Sequence, residues 1–90
     1  MTGTVQQEIE ARIAGELAPE TLVVSNDSAR HRGHAGDDGS GESHFSVTVV
    51  SAAFTGKSRV ERQRMVNRAL GDMMRERIHA LAIRALAPGE

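Results

Sequence analysis

Residues 43–58 read S-H-F-S-V-T-V-V-S-A-A-F-T-G-K-S, and their reading decides the fold. From Ser43 to Ser51 side chains alternate: Phe45, Val47 and Val49 fall on one side, His44, Ser46, Thr48 and Val50 on the other. A period of two in a β-branched run predicts a strand that turns one face to a core. Ala52 to Ser58 carries Gly56 and predicts a connecting loop. Ser58 then stands three residues before Glu61, the spacing of a capping box, where hydroxyl and carboxylate each satisfy a backbone N–H left open at a helix start. A strand therefore hands over to a helix across one short loop.

Working outward, the helix is predicted to run from Ser58 to about Arg77, with Val66, Ala69, Leu70, Met73 and Met74 on its buried face and Ile78 beyond. His79 to Leu86, H-A-L-A-I-R-A-L, is short and apolar, and a closing strand is the economical reading because it adds to the strand already inferred. Upstream, Thr21 to Ser25 is a β-branched strand ended by Asn26-Asp27-Ser28, residues that favour turns. Thr4 to Leu17 places Val5, Ile9, Ile13 and Leu17 on one helical stripe, with Thr4 and Gln7 at capping-box spacing, Gly15 weakening the last turn and Pro19 ending the run. The order is helix, strand, strand, helix, strand. An antiparallel pair joined by a long connection, plus a third strand brought in by a helical crossover, makes an α+β two-layer α-β-β-α-β sandwich with a three-stranded mixed sheet. One domain is expected over 1–90, with an ordered core of about 4–87 and a flexible loop over 28–42.

Composition narrows the function classes. Ninety residues bury too little surface for a large enclosed active site. The chain has no cysteine, so it can supply neither a disulfide nor a thiolate ligand. A net charge of −1 gives no global attraction to nucleic acid or membranes, and two phenylalanines are too few for a base-stacking platform. With no long apolar run and no basic-then-apolar start, a cytoplasmic protein without a membrane partner is expected. No nucleophile stands near an obvious base, so no enzyme chemistry is expected.

Two features carry chemistry. Residues 28–45, S-A-R-H-R-G-H-A-G-D-D-G-S-G-E-S-H-F, hold three of the four histidines: His31, His34 and His44. Neutral imidazole is a good ligand for iron and zinc, yet loop histidines beside Arg30, Arg32, Asp37 and Asp38 are ordinarily solvated. The fourth, His79, follows the long helix, where an imidazolium can cap the last carbonyls. The second feature is charge. Lys57, Arg59, Arg62, Arg64, Arg68, Arg75 and Arg77 face only Glu61, Asp72 and Glu76 between residues 55 and 77, a net of +4. A solvated helix face, a partner-docking surface and a nucleic-acid contact through Gly56, Lys57, Arg59 and Arg62 all fit that pattern.

The stretch G-E-S-H-F-S-V-T-V-V-S-A-A-F-T-G-K-S, the following R-V-E-R-Q-R-M-V and the terminal I-H-A-L-A-I together resemble the BolA family, from about Val5 to Pro88. The resemblance implies a fold similar to class II KH domains and partnership with a monothiol glutaredoxin, in a heterodimer around a glutathione-ligated [2Fe–2S] cluster. It implies that His79 is a cluster ligand and that His34 or His31 is the second, from the loop where the family varies its ligand. His44 reads as structural. Some family members are DNA-binding transcriptional regulators, so DNA is the alternative partner. Gln63 stands where the family often has histidine, and the loop is longer than in many members, with two histidines instead of one.

Overall fold

A computed structural model describes residues 4–27 and 44–90. The predicted loop over 28–42, with His31 and His34, lies outside the described residues. The elements are α1 (Thr4–Leu17), β1 (Thr21–Asn26), β2 (His44–Val50), a 3₁₀ turn (Ala52–Phe54), α2 (Arg59–Leu70), α3 (Met73–Glu76) and β3 (Ala80–Leu86). The strands form one sheet in the order β1-β2-β3, β1 antiparallel to β2 and β3 parallel to it. The α+β reading with a three-stranded mixed sheet holds, and so does the choice of a strand for the last segment.

Alternation in β2 works as its sequence implies. Phe45, Val47 and Val49 are at most 2% exposed and meet Ile9, Ile13, Val66 and Leu70 from the helices. The polar side of the strand faces away from the helices, where its partners are Thr21, Val23 and Ser25 of β1 and Ala80, Ala82 and Arg84 of β3. Val23 remains 56% exposed there. No helix among the described residues is long and apolar enough to cross a membrane.

The long helix predicted from Ser58 to Arg77 is broken. Gly71 adopts φ +55° and ψ −128°, its N–H closing on the Asn67 carbonyl at 2.9 Å, and α3 is a separate short helix beyond it. A side chain disfavours positive φ, so glycine allows the chain to turn here without strain. The apolar spacing misled because both pieces bury the same side: Val66, Leu70, Met73 and Ile78 are all within the core. At the N-terminus, Thr4 lies inside α1. The capping box of Ser58 is present as read, with Glu61 N–H to Ser58 Oγ and Ser58 N–H to Glu61 Oε1, both at 3.1 Å.

The predicted connecting loop has a core role. Phe54, within F-T-G-K-S, is fully buried, and Ser51 accepts Ala53 N–H at 3.1 Å while donating to the Leu17 carbonyl at 2.6 Å. One buried hydroxyl thus fastens the end of α1 to the start of the turn that aims α2.

Candidate metal and partner site

Parallel pairing of β2 and β3 fixes the first site. Its register sets His44 against Ala80, so His79 enters β3 beside the first residue of β2. The imidazole centroids of His44 and His79 are 5.4 Å apart, with the rings tilted by 47°. Their environments differ. His44 is only 7% exposed, whereas His79 is exposed. Asp27 N–H donates to the His44 carbonyl at 2.7 Å, so the residues flanking segment 28–43 meet within one hydrogen bond of this pair. Asp27 also accepts from Ser25 Oγ at 3.0 Å and from Ser46 Oγ. A shallow depression of about 270 Å³ lies here, lined by Asp27, His44, Phe45, Ala80, Leu81 and Ala82.

His79 is held by its neighbours along the chain. Ile78 is buried, and its N–H and that of Arg77 both close on the Met73 carbonyl, at 2.8 and 2.9 Å. Backbone groups therefore terminate α3 without the imidazole, which the sequence had offered as a cap. Arg77 Nη1 reaches Glu8 Oε1 at 2.5 Å, and Glu8 Oε2 takes Arg12 Nη2 at 2.7 Å. The Arg77 hydrogen bond, opposed by partial desolvation and assisted by Arg12, holds the Glu8 carboxyl below its ordinary range. Arg12 in turn donates to the Leu70 carbonyl at 2.7 Å. The segment that presents His79 is thus tied to α1, 69 residues away in sequence.

The donors among the described residues do not by themselves form a metal site. Among the described residues no three metal-binding side chains converge, and the chain has no thiolate. An exposed imidazole can complete a cluster whose remaining ligands come from elsewhere. His31 and His34, the predicted second ligands, lie outside the described residues.

A second site forms at the opposite end of β3. A groove of about 380 Å³ separates the start of α2 from the edge strand; Lys57, Arg59, Arg62 and Gln63 line one wall, Ile83 to Leu86 the other. Lys57 and Arg59 are exposed. Arg62, only 13% exposed, is used internally: it donates to the Lys57 and Ala85 carbonyls at 3.0 and 3.2 Å and grips Glu90 through both oxygens at 2.5 and 2.9 Å. That grip, with the Ala87 N–H at 2.9 Å, lowers the Glu90 carboxyl to about 2 and raises the Arg62 guanidinium. Gly56 has φ +78°, so the F-T-G-K turn requires glycine for backbone reasons as well as for any contact it makes. Sequence reasoning missed Glu90, Arg84 and the proximity of His44 to His79. Strand alternation could have placed Arg84 opposite Ile83; the other two depend on tertiary register.

Fold and site together define a class: a small α+β domain whose chemistry-bearing side chains lie open at the ends of its sheet. The model of the BolA-like protein family matches residues 13–90, and the chain belongs to that family. It is 42% identical over 88 residues to BolA-like protein 1 of Mus musculus, covering 98% of this chain and 61% of that protein. It is 46% identical over 79 residues to the DNA-binding transcriptional regulator BolA of Vibrio cholerae, covering 88% of this chain and 71% of that one. Among solved structures, the BolA domain of SufE1 from Arabidopsis thaliana superposes with a TM-score of 0.85 at 39% identity, over 98% of this chain and 96% of that domain.

Proposed function

We propose that this chain binds a monothiol glutaredoxin and co-ligates a glutathione-bound [2Fe–2S] cluster, serving iron–sulfur trafficking or iron regulation. The observation that carries the reading is the convergence at one sheet end: exposed His79 enters β3 where Asp27 and His44, the neighbours of segment 28–43, are hydrogen-bonded. His31 is four residues from Asp27 and His34 is seven, so the intervening chain can span at most about 14 and 24 Å. His79 would hold the cluster with His34 or His31, and the glutaredoxin and glutathione would provide the thiolates. When bound, such a cluster supplies one-electron chemistry at a potential raised by nitrogen ligation. This chain's own part is to present two imidazoles, one of them on a segment braced by the Arg77–Glu8 pair.

Mixing the chain with a monothiol glutaredoxin, glutathione and reconstituted cluster is expected to give a heterodimer whose visible spectrum differs from that of the glutaredoxin homodimer. His79→Ala abolishes the difference, while His31→Ala and His34→Ala identify the second ligand by which of them does the same. An unchanged spectrum and affinity with His79→Ala would remove the ligand assignment.

A DNA-binding role is the second reading, favoured by the exposed cations Lys57 and Arg59 at the groove and by the likeness to the DNA-binding transcriptional regulator BolA of Vibrio cholerae. It requires binding to duplex DNA that falls steeply with salt and is lost in Lys57→Ala/Arg59→Ala. Binding that is absent or insensitive to salt removes it.

A further inference from the structure

We infer that the outer edge of β3 is a docking strand for an extended acidic segment of another protein, an edge that runs from the basic groove to the border of the histidine site. Among the described residues β3 pairs with β2 alone and is an edge of the sheet. Ser51 N–H donates to the Leu86 carbonyl at 2.9 Å, so the peptide groups of Leu86, Arg84 and Ala82 point into the sheet, and by alternation those of Leu81, Ile83 and Ala85 point outward. The one outward carbonyl with a side-chain donor bears this out: Ala85 O accepts from Arg62 at 3.2 Å. Leu81 and Ile83 therefore present main-chain donors and acceptors to an added strand.

Charge identifies the occupant. Cations flank this edge: Arg84, which borders the groove and by its register opposite Thr48 belongs to the face away from the helices, and Lys57 and Arg59 across the groove on the helical face. Side chains of an added strand alternate between those faces, so an acidic segment meets a positive charge on either side. Arg62, in the wall of the groove, already holds one carboxylate, that of Glu90, through both oxygens. A second copy of this chain is a poor occupant, because edge-to-edge pairing would bring these arginines together. Ala80 and Ala82 are small and exposed among the described residues. A segment laid along all seven residues of β3 would span roughly 20 Å from the groove to the entry of His79.

Panning a random dodecapeptide phage library against the whole chain tests this. Enriched peptides are expected to carry Asp or Glu at alternating positions, and an enriched peptide should slow hydrogen exchange at the Leu81 and Ile83 amides. Arg84→Glu, an exposed change checked for folding by circular dichroism, should weaken that peptide at least tenfold. A peptide with the facing acid changed to Lys should recover most of the loss. Failure to enrich, enrichment of acid-free sequences, indifference to Arg84→Glu, or protection elsewhere would overturn the proposal. Duplex DNA binding that depends on Arg84, with no acidic peptide enriched, would assign the edge to nucleic acid and overturn it equally.

Discussion

At the scale of single residues, Ser51 shows how much a buried hydroxyl can organise. It is 1% exposed, donates to the carbonyl that ends α1 and accepts from the turn that starts the approach to α2. Removing it leaves the Leu17 carbonyl without that partner beside buried residues, and an unsatisfied buried acceptor costs about 1–3 kcal/mol. Ser51→Ala should therefore lower the urea midpoint with an unchanged m-value. Ser58→Ala removes an exposed cap instead and should cost about 1 kcal/mol. If Ser51→Ala proved the milder change, the hydroxyl would not be the fastening described.

At the scale of elements, two glycines on helices point in opposite directions. Gly15 lies within α1 and nothing approaches its absent Cβ within 4 Å, so Gly15→Ala should stabilise by about 0.4–1 kcal/mol through the unfolded chain. Gly71 sits at φ +55°, where a Cβ would also meet Arg12 Nη1 at 3.4 Å, and Gly71→Ala should destabilise by roughly 1–3 kcal/mol. Thermal unfolding of the two variants checks the sign of each. The same contrast explains what was legible in the sequence. Repeating patterns, such as the α1 stripe and the β2 alternation, were readable because burial on one face imposes a period. The break at Gly71 was not, because a glycine within an apolar repeat looks the same whether φ is negative or positive. Of the candidate site, His79 and the basic start of α2 were visible as residues. Their neighbours were set by which strand lies beside which: His44 meets His79 only through parallel pairing, and Glu90 meets Arg62 only after β3 returns along α2.

At the scale of the molecule, two ion pairs tie distant parts of the chain: Glu8 of α1 to Arg77 ahead of β3, and Glu90 beyond β3 to Arg62 of α2. Both carboxyls are depressed from an ordinary value of 4.5, Glu8 chiefly by its hydrogen bond with Arg77 and Glu90, to about 2, chiefly by Arg62. A carboxyl that binds its proton more weakly when folded favours the folded state above its unfolded pKa, and that advantage is lost as pH falls through the folded value. Wild type should therefore lose stability relative to Glu8→Gln/Glu90→Gln between about pH 4.5 and 2, the two converging at the acid end. Urea midpoints measured at steps across that window give the difference directly. Raising the salt should shrink the gap at pH 6, since Glu90 is 45% exposed and Glu8 31%. Constant separation of the two curves down to pH 2 would mean that neither pair titrates with folding. In that case the brace on the His79 segment would have to come from the buried Ile78 and the Met73 carbonyl alone.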